Sequence, residues 1–153
     1  MMQQMLLAHG GASDPVIYSD YVTSTNGLKS DYPATNMFDG STSTYAQNEL
    51  SQDNSITVDF SAAGKPINYS SSVRIYTYAA NGYSITNTYY LNGSSSGTTF
   101  TGGSAGFNGA AWTTVASGSG TINSIRLRMQ RSGSNSSATW YAVEVDGTIL
   151  VDG

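Results

Sequence analysis

The chain has 153 residues, no cysteine, 10% charged residues and a formal net charge of −4. This length fits one domain, which buries roughly 70% of its unfolded surface and needs no disulfide. The absence of cysteine excludes thiolate metal sites and Cys nucleophiles, and six Lys and Arg residues cannot supply the basic stripe that broad nucleic-acid binding requires.

The first eleven residues form an apolar leader. They lack a basic region, and their apolar stretch is too short for a secretory signal or a membrane span. A helix of two turns is marginal in water and must dock on something to be stable. We therefore expect residues 1–11 to be a docking segment ahead of a β domain over residues 12–153. The predicted docking side chains are Met2, Met5, Leu6 and Leu7.

From residue 14 onward the pattern is β almost throughout, with polar and apolar residues alternating. Runs of this kind occupy residues 16–18, 21–23, 55–60, 73–78, 84–91, 112–115 and 122–129. Ile56, Val58 and Phe60 are predicted to face inward in one strand, and Val73 and Ile75 in the next. We predict that residues 93–110 form a long surface loop. Many short strands between turn clusters predict an all-β, antiparallel β-sandwich or jelly roll.

A motif near the start of this domain brings a family resemblance. Residues 33–45 read Pro-Ala-Thr-Asn-Met-Phe-Asp-Gly-Ser-Thr-Ser-Thr-Tyr. This run resembles the "Ala…Phe-Asp-Gly…Ser-Thr" signature of discoidin-like, galactose-binding-like jelly rolls that bind carbohydrate. The resemblance extends loosely over residues 33–147, through the strands at 56–60 and 73–78 and the closing Val-Glu-Val-Asp-Gly of residues 143–147.

The resemblance implies a calcium site in the Asp-Gly loop. The matching ligands are Asp39, Ser41 and Thr44. The family's glutamate would fall near Ala142, where the nearest acid is Glu144, and calcium prefers six to eight oxygen ligands. The alternative is a plain turn in which the Asp39 side chain caps backbone amides.

Tyrosine and arginine share the predicted outward faces of two strands. If the strands at 73–78 and 122–129 were neighbours, these side chains and the tryptophan that begins the last strand would form one patch. Tyr and Arg are enriched at protein interfaces, and planar guanidinium groups also match paired sugar hydroxyls. The patch could therefore be an assembly surface, a glycan site or a strand face exposed to solvent, and the sequence leaves these three interpretations open. The patch residues are Arg74, Tyr76, Tyr78, Arg126, Arg128 and Trp140.

The last fourteen residues predict a closing β-hairpin. An alternating run from Trp140 to Val145 is followed by Asp146-Gly147 and a second apolar run, which is a strong hairpin signal. The pattern Val-Asp-Gly-Thr-Ile-Leu-Val-Asp resembles the closing strands of bacteriophage virion and tail-fibre proteins. That resemblance implies a structural protein located in the virion and assembled in the host cytoplasm.

No catalytic constellation is evident in the sequence. It has a single His, no Gly-x-Ser-x-Gly nucleophile elbow and no phosphate-binding loop, so we expect no enzyme and no certain cofactor. We interpret the chain as a capsid decoration protein that docks through its N-terminus onto phage coat or tail proteins and copies of itself. The alternative is a carbohydrate-binding adhesin domain of a tail or fibre protein, which would hold host glycans.

Overall fold

The computed structural model describes residues 16–62, 64–79, 85–100, 109–132 and 135–153. Within these ranges the chain forms short strands and two 3-10 turns. In chain order they are η1 (Tyr18–Tyr21), β1 (Val22–Ser24), η2 (Ala34–Met37), β2 (Ala46–Gln47), β3 (Asp53–Asp59), β4 (Ile67–Tyr69), β5 (Ser72–Ala79), β6 (Ile85–Leu91), β7 (Thr98–Phe100), β8 (Gly109–Ser117), β9 (Gly120–Ile122), β10 (Ser124–Arg131), β11 (Thr139–Val145) and β12 (Thr148–Ile149).

Two antiparallel sheets pack into a sandwich. Sheet 1 has the strand order β1-β3-β10-β6-β7, and sheet 2 has the order β12-β11-β5-β8 with β2 also paired to β11. Strands β4 and β9 form a separate two-stranded ladder. The predicted all-β, antiparallel β-sandwich is therefore confirmed. The predicted docking residues Met2, Met5, Leu6 and Leu7 lie outside the described residues.

The core lies between the two sheets and follows the alternation of the sequence. Ile56, Val58 and Phe60 are fully buried, as are Val73 and Ile75, which agrees with the inward faces predicted for both strands. Burying each such side chain contributes about 1.5–3 kcal/mol before ordering costs. Neighbouring strands are therefore held in a single register, because a slip by one residue would turn these side chains toward water.

Two local predictions were wrong. The predicted strand at residues 16–18 is replaced in part by η1, because Tyr18 packs its ring on Phe38 at 5.4 Å and Ser19 donates a hydrogen bond to the carboxylate of Asp152. The predicted surface loop at residues 93–110 contains a strand, β7, which pairs with β6 at the edge of sheet 1. Residues 101–108 lie outside the described residues.

The closing hairpin of β11 and β12 has the predicted Asp-Gly turn. Asp146 and Gly147 adopt positive φ values of 49° and 85°, as a type I′ turn requires. The Asp146 carboxylate accepts hydrogen bonds from the backbone N–H groups of Ser70, Ser71 and Ser72, at 2.8 to 2.9 Å. The turn therefore fastens the hairpin to the start of β5.

These hydrogen bonds make stability depend on pH. They stabilise the carboxylate form and lower the pKa of Asp146 from its usual 3.8 to about 2. Since the folded pKa lies below the unfolded one, the stabilisation is complete above about pH 4 and is lost as the pH falls toward 2. We expect Asp146→Asn, which tolerates the positive φ, to flatten the fall in melting temperature over this range. The exposed Asp20→Asn serves as control, and equal slopes in both variants would contradict the assignment.

Candidate functional site

Five aromatic rings cross the outer face of sheet 2 in an unbroken row, which we call the aromatic band. Its members in spatial order are Tyr32, Tyr45, Tyr141, Tyr76 and Trp112. Successive ring centroids are 4.7, 5.0, 5.3 and 5.0 Å apart. All five side chains are half-buried, so the band is a partly exposed apolar strip running across the strands.

Strand register places the rings side by side. Tyr76 on β5 lies opposite Trp112 on β8 in the antiparallel pairing, and both point away from the core. On β11 the register shifts between Trp140 and Ala142, which marks a β-bulge at Tyr141. The extra residue directs the Tyr141 ring to the outer face while Trp140 remains inside. The band therefore depends on this irregularity in β11.

An ion pair flanks the Trp112 end of the band. Arg74 donates from Nε to Glu144 Oε1 at 2.6 Å and from Nη2 to Oε2 at 2.5 Å. The guanidinium carbon also lies 4.9 Å from the centre of the Trp112 ring, within the range of a cation–π contact. Glu144 raises the pKa of Arg74 by hydrogen bonding. This arrangement fixes a planar donor group beside the aromatic surface.

Amide and ammonium groups flank the other end. Lys29 Nζ lies 5.9 Å from the centre of the Tyr32 ring and donates to Gln47 Oε1 at 2.7 Å. Gln47 Nε2 in turn donates to Thr139 Oγ1 at 3.1 Å. Polar groups of defined orientation therefore border the band at both ends.

Two tyrosines of the band, Tyr45 and Tyr141, have raised pKa values. A hydrogen bond between the Tyr45 and Tyr32 hydroxyls, with a smaller contribution from burial, raises the pKa of Tyr45. Burial, followed by the nearby Tyr76 and Tyr78, raises the pKa of Tyr141. Both hydroxyl groups therefore keep their protons at neutral pH, and that of Tyr45 is already engaged with Tyr32.

A cavity of about 470 Å³ opens beside the band at one end of the sandwich. Tyr45 and Tyr141 belong to both features, and Tyr78 and Thr139 line the cavity wall. Ser136 also lines it, and the buried Ser136 Oγ has no hydrogen-bond partner within the described residues. A ligand lying on the band could thus extend into a partly polar recess.

The single patch predicted from sequence does not form. Arg74, Tyr76 and Tyr78 lie on β5 in sheet 2, whereas Arg126 and Arg128 lie on β10 in sheet 1. These strands are not neighbours, so the two sets occupy opposite faces of the sandwich. Trp140 joins neither set because it is fully buried and donates from Nε1 to the Ala142 carbonyl at 2.9 Å. Its assignment to a surface patch was wrong.

Sequence reasoning missed four of the five band residues: Tyr32, Tyr45, Trp112 and Tyr141. Tyr32 and Tyr45 flank the Asp-Gly loop and reach the band only because β2 pairs with the start of β11. Residues 112–115 were predicted as a strand, and alternation within it places Trp112 on the outer face. Trp112 could therefore have been predicted from the sequence. Tyr141 could not be placed without knowledge of the bulge.

The structure brings together the three calcium ligands that the resemblance implies. Asp39 Oδ1 accepts a hydrogen bond from the Ser41 N–H at 2.8 Å, and Oδ2 accepts one from Thr44 Oγ1 at 2.5 Å. Ser41 Oγ accepts from the Ser43 N–H at 2.9 Å. The described residues contain no group of three or more Asp, Glu, His or Cys side chains that could hold a metal. Glu144, the expected acid, pairs with Arg74 instead.

This donor set fits a capped turn better than a calcium site, since it offers one carboxylate that already accepts two hydrogen bonds. We expect excess calcium, or its removal with a chelator, to leave the melting temperature unchanged. Asp39→Ala should lower the melting temperature equally in both conditions. A calcium-dependent rise that Asp39→Ala abolishes would restore Asp39, Ser41 and Thr44 as ligands.

Among the solved structures that resemble this chain are two carbohydrate-binding modules. The chitosan-binding module 1 derived from chitosanase/glucanase of Paenibacillus sp. IK-5 superposes with a TM-score of 0.53 and 19% identity, over 88% of this chain and 100% of that one. A family 32 carbohydrate-binding module of C. perfringens NanJ, in complex with galactose, superposes with a TM-score of 0.46 and 17% identity, over 85% and 98%.

The first of these likenesses shows that the chain has the β-sandwich fold of a carbohydrate-binding module. No protein-family model matches the chain, and no curated protein matches it. Within the residues that the structure describes, no helix is long and apolar enough to cross a membrane.

Proposed function

We propose that this chain is a non-catalytic carbohydrate-binding domain and that the aromatic band holds the glycan. The observation that carries the proposal is the contact of five half-buried rings across the outer face of sheet 2. Sugar rings present flat C–H faces edged by hydroxyl groups, which match an aromatic surface bordered by polar side chains.

The flanking groups support the same ligand class. The Arg74 guanidinium is already paired with Glu144, so this end of the band offers directed hydrogen bonds with little net charge. The protonated Tyr141 hydroxyl adds a further donor. A solved structure of similar fold is named a chitosan-binding module, which makes glucosamine-based polysaccharides the first ligands to test.

The direct test is retention on insoluble chitin, chitosan and cellulose, with affinities then measured on soluble oligosaccharides. We expect Trp112→Ala and Tyr76→Ala each to weaken binding about tenfold or more, as removal of a central aromatic anchor does at other binding surfaces. Tyr21→Ala is the matched control because Tyr21 is a half-buried tyrosine outside the band.

All three substitutions leave the net charge unchanged, so attraction of this acidic chain to cationic chitosan cannot separate them. Binding that Trp112→Ala and Tyr76→Ala leave intact would refute the band as the site. Failure of the unmodified chain to bind any of these polysaccharides would refute the proposed function for this ligand class.

The location of this domain in a virion remains a prediction that rests on the C-terminal resemblance. A virion location, with coat or tail proteins as partners, depends on residues 1–11, which lie outside the described residues. An adhesin domain of a tail or fibre protein would combine this virion location with the proposed glycan binding. Deleting residues 1–11 should abolish incorporation into particles and leave a folded domain, and incorporation that survives the deletion would exclude the docking segment.

A further inference from the structure

We infer that the outer face of sheet 1 carries a second, independent site, which binds the carboxylate of an acidic sugar through Arg126. This inference extends the proposed function and rests on it for the ligand class alone. The site lies on the face of the sandwich opposite the aromatic band. Its members are Arg126, Tyr90, Ser55, Thr25 and the ion pair of Arg128 with Asp53.

The two arginines on this face differ in their partners. Arg128 donates from Nε to Asp53 Oδ1 at 2.7 Å and from Nη2 to Oδ2 at 2.5 Å, so these two charges neutralise each other. Arg126 has no salt bridge within the part of the chain that the structure describes. Asp59, the other carboxylate that β3 places on this face, accepts hydrogen bonds from the Ser61 hydroxyl and the Ala62 N–H. Among the described residues, Arg126 is therefore left without a carboxylate partner.

Stacking on an aromatic ring holds Arg126, whose guanidinium donates no hydrogen bond to any of the residues that the structure describes. Its guanidinium carbon lies 3.9 Å from the centre of the Tyr90 ring, which is directly opposite it in the pairing of β10 with β6. Such stacking occupies the flat face of the guanidinium and leaves its N–H edges free. A free N–H edge matches a carboxylate in a bidentate pair.

A depression of about 310 Å³ adjoins the free edge. Thr25, Asp53, Ser55, Arg126 and Arg128 line it. Ser55 is only 7% exposed, and what remains exposed lines this depression.

The Thr25 hydroxyl supports a sugar as the ligand of this depression. Thr25 Oγ1 accepts a hydrogen bond from the Ser55 N–H at 3.0 Å, so its own proton remains available to a ligand. The depression thus offers a cation for a carboxylate and hydroxyl groups for the neighbouring sugar hydroxyls. A uronic acid residue within a polysaccharide carries both groups on one ring.

Isothermal titration calorimetry with trigalacturonate tests the site on the whole chain. The methyl-esterified trimer is the matched ligand, since it keeps the sugar and removes the charge. We expect the acid to bind more tightly than the ester, and added salt to weaken the acid alone because it screens the ion pair. Arg126→Gln should weaken binding of the acid about tenfold or more.

Two further variants complete the test. Lys65→Gln removes one positive charge from an exposed loop and should leave binding unchanged, which separates the site from net charge. Arg126→Lys should bind with intermediate affinity because it keeps the charge and loses the planar fork. Equal affinity of the unmodified chain and Arg126→Gln for the acid, or no binding of the acid at all, would overturn the inference.

The outcome is separable from that of the proposed function. Trp112→Ala should leave trigalacturonate binding at this site intact while it weakens retention on neutral polysaccharides. Arg126→Gln should show the reverse pattern. Loss of both activities in both variants would show a single shared site and overturn the inference of two.

Discussion

Replacing Trp140 with alanine is expected to lower the free energy of unfolding by about 3–5 kcal/mol. Trp140 is fully buried, and its indole N–H donates to the Ala142 carbonyl at 2.9 Å. The substitution removes the largest fully buried side chain and leaves a cavity that the flanking strands cannot fill, because β11 is paired on both sides. Domains of this kind are stable by only about 5–15 kcal/mol, so the variant should be close to unfolding at ordinary temperature.

Urea unfolding at 25 °C measures this loss as a lower transition midpoint. Trp140→Phe should cost less, since the ring keeps most of its volume and loses mainly a hydrogen bond worth about 1 kcal/mol. Trp112→Ala is the matched control because it removes the same side chain from the outer face. A loss for Trp140→Ala no larger than that for Trp112→Ala would show that Trp140 is not a core residue.

Replacing Asn54 with leucine is expected to lower the free energy of unfolding by about 2–4 kcal/mol, although leucine is apolar and of similar size. The Asn54 side chain is fully buried and makes four hydrogen bonds. Its Oδ1 accepts from Asn26 and Asn48, both at 3.1 Å. Its Nδ2 donates to the carbonyl groups of Ser51 and Ser136, at 2.8 and 2.7 Å.

Leucine would leave the buried Asn48 amide without an acceptor, and an orphaned polar group of this kind carries its full desolvation cost. It would also remove the two bonds from the Asn54 amide to the carbonyl groups of Ser51 and Ser136. The loops before β3 and β11 would then stay joined through the backbone pairing of these two serines. The measurement is again urea unfolding. Asn26→Ala removes one exposed donor to the same oxygen and should cost less than about 1 kcal/mol. Equal losses for both variants would contradict this account of the buried network.

The strands of the core could be predicted because each carries its own signal. Ile56, Val58 and Phe60 alternate with polar residues, and one buried face requires that period of two. The turn at Asp146-Gly147 could also be predicted from local sequence, since few residue pairs tolerate two successive positive φ values. Neither feature depends on which strands become neighbours.

The surfaces could not be predicted in the same way. Arg74 and Arg126 both face outward in their strands, as alternation indicates, but alternation is silent about which sheet a strand joins. The structure places β5 in sheet 2 and β10 in sheet 1, so one expected patch became two opposite faces. The aromatic band likewise needs β2 beside β11, a pairing between residues that are distant in sequence.

The sequence by itself determined the all-β class, the inward faces of the main strands and the closing hairpin, because these follow from local periodicity and turn chemistry. The tertiary structure alone decided the candidate binding surfaces. Strand order separated the arginines of β5 from those of β10, and the bulge on β11 turned Tyr141 outward while Trp140 stayed in the core. Both outcomes depend on backbone hydrogen bonds between distant segments, which no local pattern of side chains specifies.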